Sequence, residues 1–388
     1  MKTNILVECP ELISSVKIGV LDLLESREEC NVKFKRTNTI TKHDILWSDV
    51  VISVRGCEKA SLKIIESANE AGRYTIMFLD DDLVNIPLNL DSTKYYNDQK
   101  LKKYILGILS KCQILWAVNP RIIEKYSKYT IEKKGILGKV PMKIEIEKKE
   151  WTEPLKVLYA GSIDHKQTLQ KIIRPVIKKF DKIINNRITF TFIGANPEIK
   201  KTTHYNYFQN YELYKKFVTE KKFDIGLAPI ETTEFYKSKY YNKFLEYTSI
   251  GIVGIYTDTE PYNLIIKDGI NGFLCENNPE KWYFKIKEIM ENPSKILEVL
   301  NNAQRQVRKN YNIEAVSNEI LTLIPELIEY KAKEKNIKNI KNIKLENIKL
   351  IFYMERIQLL IRIYGLKSII VIPYRILKKI IKKIIRRN

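Results

Sequence analysis

The chain has 388 residues, of which 44% are hydrophobic, a composition that suits two domains with sizeable cores. The formal net charge is +21, but residues 331–388 hold 17 Lys and Arg against three Asp and Glu, so two thirds of the excess lies there. A nucleic-acid-binding protein usually spreads basic surface over its folded domain, so this distribution argues against nucleic acid as the partner. Nucleic-acid binding is kept only as an alternative, motivated by the total charge.

The five cysteines are odd in number and none are paired at short spacing. This pattern argues against a disulfide framework or a zinc knuckle and predicts buried free thiols in a reducing cytosol. We also expect no secretory signal, because the apolar run Met1–Val7 is short and Glu8 interrupts it. No run of 18 apolar residues occurs, so no membrane span is expected and a cytoplasmic location is predicted.

Residues 1–140 alternate short apolar runs with helical patterns. The predicted buried strands are Asn4–Val7, Val50–Val54, Tyr74–Leu79 and Ile114–Val118, and the predicted helices are Glu11–Glu25, Ala60–Ala71 and Lys100–Leu109. Near-continuous apolar strands that alternate with helices predict a parallel sheet covered on both faces.

A linker is predicted at residues 141–154, where two prolines and a charge cluster interrupt the periodicity. The alternation restarts in residues 155–330. The predicted strands are Leu155–Ala160, Ile188–Ile193, Phe223–Ala228 and Ile252–Tyr256, and the predicted helices are Thr168–Phe180, Tyr211–Val218, Lys239–Thr248, Glu280–Met290 and Ser294–Asn310. The fold class is therefore α/β, with two doubly wound, Rossmann-like domains that face a cleft where ligands meet the carboxyl ends of the strands.

The C-terminal part of the chain has a different character. Residues 331–349 are a low-complexity Lys/Asn/Ile connector, and residues 350–388 repeat apolar and basic residues at helical spacing. Such a basic amphipathic tail suits an anionic membrane surface, which predicts peripheral attachment to the inner face of the cell membrane. A helical hairpin packed on the catalytic body and a nucleic-acid tail are the alternatives.

Two small-residue turns follow predicted strands of the second domain. Gly161 and Ser162 end one strand shortly before a helix, and Gly194 ends the next strand. Small residues let a phosphate approach backbone N–H groups, and the following helix adds a favourable dipole. Each turn by itself is better explained as a simple tight turn, but two such turns at neighbouring strand ends would open on the same edge of the sheet. His165 follows the first turn and is a candidate to touch a ligand phosphate or hydroxyl, or else is a solvated loop residue.

The stretch Lys237–Gly251 combines a lysine cluster with an amphipathic helix. Lys243 and Glu246 lie three residues apart and therefore share one face of the helix. The pair is either a surface ion pair or a functional set, with lysines for a diphosphate and a carboxylate for ribose hydroxyls.

The run K-S-x4-K-F-L-E-Y-x-x-x-G, followed by Asp268–Leu274 and Trp282, resembles the C-terminal domain of GT-B glycosyltransferases of the bacterial "glycosyl transferases group 1" type. The resemblance covers residues 155–330 well and the N-terminal half mainly in pattern. It implies a metal-independent enzyme with no required cofactor that moves a sugar from a nucleoside-diphosphate sugar, most simply a UDP- or GDP-sugar. The implied acceptor is a glycan or a lipid-linked glycan of envelope polysaccharide synthesis.

The resemblance also assigns residues in the donor site. It places Glu246 on the donor ribose, Lys243 on the phosphate side, and the loop of Gly161 and Ser162 near the donor phosphate. Gly194, Lys237 and Ser238 complete the candidate donor-binding residues, because they lie in the neighbouring turn and in the lysine cluster. Many retaining relatives have a second glutamate where this chain has Ser238, so the resemblance leaves retention or inversion open.

Asp80, Asp81 and Asp82 follow a predicted strand of the first domain. We interpret Asp80 and Asp82 as acceptor ligands or as the catalytic base, with His165 as a further catalytic candidate. Metal binding in the manner of a D-x-D motif and a purely structural acidic turn are the alternatives. Rival functions are a non-catalytic nucleotide- or glycan-binding module and another GT-B reaction such as sugar-nucleotide epimerisation.

Overall fold

The structure is a computed structural model that describes residues 2–87, 95–146, 153–183, 187–208, 210–332 and 347–364. The chain divides into two compact units. The first comprises Met1–Gly138 and Glu319–Asn388, and the second comprises Lys139–Asn318.

The described part of the first unit holds a six-stranded, fully parallel sheet in the order β2-β1-β3-β4-β5-β6. Its strands are β1 (Thr3–Cys9), β2 (Cys30–Arg36), β3 (Val50–Val54), β4 (Tyr74–Leu79), β5 (Ile114–Ala117) and β6 (Lys134–Leu137). In residues 1–138 of this unit, the described helices of six or more residues are α1 (Lys42–Trp47), α2 (Lys59–Glu70), α3 (Gln99–Leu109) and α4 (Pro120–Tyr126). Short helical pieces at Ser14–Val16, Lys17–Leu21 and Asp22–Glu25 run in succession after β1. The central strands β3, β4 and β5 are buried along their whole length, as a parallel sheet covered on both faces requires.

The second unit repeats this plan in the order β12-β11-β10-β7-β8-β9, again with all pairs parallel. The strands are β7 (Leu155–Gly161), β8 (Ile188–Gly194), β9 (Thr203–Tyr205), β10 (Ile225–Ala228), β11 (Val253–Thr257) and β12 (Phe273–Cys275). The longer helices are α5 (Arg174–Ile183), α6 (Tyr211–Lys221), α7 (Asn242–Ser249), α8 (Pro279–Glu291) and α9 (Pro293–Asn310). Short helical pieces lie at Ile163–His165, Lys166–Thr168, Leu169–Ile173 and Glu234–Lys237. The core includes fully buried Trp282, and the rings of Phe180 and Tyr283 lie 4.7 Å apart.

These two sheets confirm the predicted fold class of two Rossmann-like parallel-sheet units. The strands predicted from the sequence are all present, and the five cysteines are buried and free, as predicted. Among the described residues, no helix combines the length and apolarity that crossing a membrane requires.

The chain leaves the second unit along α10 (Ile313–Leu323), passes the short helix Glu326–Glu329, and continues to α11 (Ile348–Tyr364) in the first unit. Helix α11 covers part of the segment predicted to bind a membrane, but it packs against α2 and the short turn Thr37–Thr39. Its side chains Ile348, Phe352 and Leu359 are buried there. For this helix the structure therefore agrees with the alternative of a helix packed on the catalytic body. The strongly basic pattern in residues 374–388 and most of the low-complexity connector lie outside the described residues.

Candidate functional site

The carboxyl ends of β7 and β8 meet at two glycines. Gly161 and Gly194 are register partners, and the backbone N–H of Ala195 donates to the Gly161 carbonyl at 3.0 Å. Gly194 has φ +86°, and a Cβ atom there would lie 2.1 Å from the Gly161 oxygen. Only glycine fits both the backbone angle and this close approach, so the structure brings the two predicted turns together on one edge of the sheet.

The turn after Gly161 is held by its own side chains. Ser162 donates through its hydroxyl to Asp164 at 3.1 Å, and the His165 backbone N–H donates to the Ser162 carbonyl at 3.2 Å. The His165 ring lies beside the ring of Tyr236, with 5.6 Å between centroids. His165 Nδ1 is buried and has no hydrogen-bond partner in the described part of the chain.

Burial, together with the positive charges of Lys239 and Lys243, lowers the pKa of His165 from 6.5 to about 4 against the opposing effect of Asp164. The ring is therefore neutral at physiological pH. A neutral imidazole with an unsatisfied nitrogen at a strand's carboxyl end is suited to a hydrogen bond with a ligand oxygen.

Glu246 has side-chain partners on two helices of the second unit. Lys243 Nζ lies 3.0 Å from both carboxylate oxygens of Glu246, whose side chain is only 13% exposed. The hydroxyl of Tyr214, on α6, donates a short hydrogen bond to Glu246 Oε1. Burial, and then the charge of Glu246, raises the pKa of Tyr214 well above its usual range, so this hydroxyl remains a donor.

The sequence predicted Lys243 and Glu246 but missed Tyr214. The only available signal was that α6 bears Tyr211 and Tyr214 on one face, and nothing in the sequence says that this face meets α7. We call Tyr214, Lys243 and Glu246 the carboxylate triad of the second unit.

The two other predicted donor residues have local partners. Lys237 Nζ lies 3.1 Å from Glu234 Oε1, and the fully buried Ser238 donates through its hydroxyl to the Glu234 carbonyl at 2.9 Å. These contacts close the short helix Glu234–Lys237, so Ser238 has a clear role in shaping the turn that precedes α7.

The three aspartates after β4 have unequal surroundings. Asp82 is fully buried, and its oxygens accept from Lys125 Nζ at 2.9 Å, from Asn85 Nδ2 at 3.1 and 3.2 Å, and from the Tyr126 hydroxyl. These partners stabilise the Asp82–Asn85 turn, which matches the alternative of a structural acidic turn.

Asp80 and Asp81 share one cation. Arg55 Nη1 lies 3.4 Å from Asp80 Oδ2, and Arg55 Nη2 lies 3.7 Å from Asp81 Oδ2. Arg55 follows β3 in a left-handed conformation, with φ 54°, which is uncommon for a side chain of this size. Asp80 Oδ1 and Arg55 Nε are buried without a hydrogen-bond partner in the described residues. Within those residues, no three His, Cys, Asp or Glu side chains are grouped as metal ligands.

Comparison with known proteins defines the class of fold. No family model matches the chain, and no curated protein matches it in sequence. The structure of HepE from Anabaena in complex with UDP and glucose is similar, with a TM-score of 0.61 and 10% identity over 84% of this chain and 100% of that chain. Sucrose-phosphate synthase from Thermosynechococcus elongatus is similar with a TM-score of 0.61 and 10% identity, over 85% of this chain and 100% of that chain. A glycosyltransferase from Rickettsia africae is similar with a TM-score of 0.55 and 14% identity, over 85% of this chain and 100% of that chain.

At these identities the likeness concerns the fold. The two parallel-sheet units together with these neighbours show that the chain has the GT-B fold of glycosyltransferases, which confirms the predicted resemblance.

Proposed function

We propose that this protein is a glycosyltransferase that uses a UDP-sugar as donor. The observation that carries the proposal is the carboxylate triad: a largely buried Glu246 held by Lys243 and Tyr214, with Lys243 in electrostatic range of His165, which follows the Gly161 turn. The choice of UDP is supported by the HepE structures, which contain UDP, UDP with glucose, or UDP-glucose.

The donor is proposed to bind in the second unit. Glu246 accepts hydrogen bonds from the ribose hydroxyls, and Lys243 turns from Glu246 towards the diphosphate. The backbone at Gly161 and Ser162 approaches the phosphates, and the neutral His165 ring donates or accepts at the same edge. Fixed cations there stabilise the leaving diphosphate, which gains charge as its bond to the sugar breaks.

The acceptor is proposed to bind in the first unit near Asp80. The acceptor hydroxyl oxygen forms the new bond to the anomeric carbon, the bond from that carbon to the diphosphate oxygen breaks, and the hydroxyl proton is taken up by Asp80 or by the departing phosphate. We propose a glycan or lipid-linked acceptor of cell-envelope synthesis. Residues 365–388 would then attach the enzyme to an anionic membrane surface, where such an acceptor is found.

Thermal unfolding in the presence of UDP, GDP, dTDP and their sugars tests the donor assignment, because a ligand that binds the native state raises the melting temperature. We expect UDP and one UDP-sugar to stabilise the protein, and Glu246→Ala to abolish this stabilisation and the release of UDP. Stabilisation by GDP alone, or full turnover in Glu246→Ala, would contradict the proposal. Binding without any turnover would instead identify a non-catalytic module.

A further inference from the structure

Helix α11 reaches the Asp80 region through a continuous series of side-chain contacts within the first unit. Arg356 Nε, on α11, donates to Glu58 Oε1 at 3.0 Å, and Glu58 is only 1% exposed. The Tyr95 hydroxyl donates to the same Glu58 oxygen. A single buried carboxylate therefore joins the C-terminal helix to the segment that begins at Tyr95.

The same segment is held a second time at its other end. Arg362 Nε, also on α11, donates to Asp98 Oδ2 at 2.8 Å, while Asp98 Oδ1 accepts from the Lys100 backbone N–H at 2.8 Å and so caps α3. Two arginines of α11 thus hold both ends of this segment, Arg356 through Glu58 at Tyr95 and Arg362 directly at Asp98, and Tyr96 lies between these two ends.

Tyr96 lies against the cation that binds Asp80. Its ring meets the Tyr95 ring edge-on at 5.2 Å, and the Arg55 guanidinium carbon lies 5.7 Å from the Tyr96 ring centroid. Arg55 in turn pairs with Asp80 and Asp81. An arginine held in a left-handed backbone conformation, with an unpartnered Nε, depends on its neighbours for its position.

Glu355 strengthens the docking of the helix without touching this series. Its Oε2 accepts from the Lys59 backbone N–H at 2.8 Å, at the start of α2. The N-cap residue of α2, Glu58, makes no capping hydrogen bond with its own side chain, so α11 supplies the cap from another part of the chain.

We propose that α11 is a positioning element for the Asp80 region: Arg356 and Arg362 hold residues 95–98 so that Tyr96 keeps Arg55 against Asp80. The functional part of this inference rests on the proposed role of Asp80. The inference also distinguishes two truncations. Deletion of residues 331–388 removes α11, whereas deletion of residues 365–388 leaves α11 in place.

Two buried cysteines lie beside this series of contacts between α11 and Asp80, so the accessibility of their thiols measures whether the contacts are intact. Cys9 is 3% exposed and lies within electrostatic range of Arg55 and Asp80, and Cys57 is 2% exposed beside Glu58. Alkylation of the full chain with iodoacetamide, resolved by mass spectrometry, measures their protection. In Arg356→Met we expect alkylation of Cys9 and Cys57 to rise at least tenfold, while Cys112 and Cys275 stay protected as internal folding controls.

Enzymatic readouts separate positioning from general stability. For Arg356→Met we expect kcat for UDP release from UDP-glucose, with water as acceptor, to fall about tenfold with KM and UDP affinity unchanged. Arg356→Lys should restore most of the rate, and Leu350→Ala, on an exposed position of the same helix, should leave it unaltered. Tyr96→Leu, which leaves both arginine contacts intact, should reproduce the loss of kcat even if Arg356→Met fails to fold.

Wild-type protection of Cys9 and Cys57 in Arg356→Met, or a wild-type kcat in Tyr96→Leu where Arg356→Met lowers kcat, would overturn the inference. Raised alkylation in Arg356→Met together with unchanged kcat in both variants would support the contact series and refute the proposed role of Asp80. Absence of any UDP binding in the wild type would refute the donor proposal, and the alkylation result would still decide the inference.

Discussion

Tyr214 donates a hydrogen bond to Glu246 from a helix 32 residues earlier in the chain. Lys243, on the same helix as Glu246, is the other side-chain partner of this carboxylate. Glu246 is thus oriented before any ligand arrives, which reduces the ordering cost of binding.

We expect Tyr214→Phe to weaken UDP binding about three- to tenfold, the range for the loss of one ordinary hydrogen bond. The effect should vanish with 2′,3′-dideoxyuridine diphosphate, because that ligand lacks the hydroxyls that Glu246 is proposed to bind. Isothermal titration with both ligands measures this difference. Equal losses for the two ligands would mean that Tyr214 does not act through the ribose.

Lys243→Met tests the diphosphate assignment. We expect UDP affinity to fall at least about tenfold while uridine affinity is unchanged, because uridine has no phosphate to pair with the lost cation. Lys216→Met is the matched control, since Lys216 is a lysine of α6 with a side chain 74% exposed. A parallel loss of uridine binding would place Lys243 elsewhere in the site.

Gly194→Ala tests the strand edge. The left-handed backbone costs about 1 to 2 kcal/mol for alanine, and the contact with the Gly161 oxygen adds to it. Gly269→Ala is the control, because Gly269 has φ +70° but no atom within 4 Å of its Cβ position. We expect chemical denaturation to show a clearly larger loss of unfolding free energy at Gly194, with loss of UDP binding only there. Equal losses would argue that the glycine contact is unimportant.

The low pKa of His165 predicts a pH dependence. The unfolded residue takes up a proton near pH 6.5 and the folded residue only near pH 4, so the free energy of unfolding should fall as the pH drops through this window. A diphosphate bound beside the ring should raise the pKa and cause proton uptake on binding. NMR titration of the His165 ring with and without UDP measures both effects, and a free-state pKa above 6 would contradict the burial argument.

Asp80 and Asp82 should respond differently to substitution by asparagine. Asp82→Asn removes the charge partner of Lys125, whose side chain is 28% exposed, and weakens hydrogen bonds to a fully buried carboxylate, so we expect a loss of stability of about 1 to 3 kcal/mol. Asp80→Asn should lower kcat for UDP release at least about tenfold with little change in melting temperature. The reverse pattern, with Asp82 controlling turnover in a stable protein, would exchange their roles.

The sequence by itself determined the interior of both sheets. Strands such as β3, β4, β10 and β11 are covered on both faces, and this burial requires near-continuous apolar runs that can be recognised without a structure. The local motif of Lys243 and Glu246 was also readable, because residues three apart on a helix necessarily share a face.

The tertiary structure decided which segments form the edge strands of the sheets and which distant side chains contact Glu246 and Glu58. Within the described residues, the strands that the sequence did not predict are β2, β6, β9 and β12. They are the edge strands of the two described sheets, and their shorter or more polar segments lack the apolar signature. The contact of Tyr214 with Glu246, and the docking of α11 on Glu58, join residues far apart in the chain. The amphipathic pattern of α11 specifies an apolar face but not the surface that covers it, because a membrane and a protein core satisfy the same periodicity.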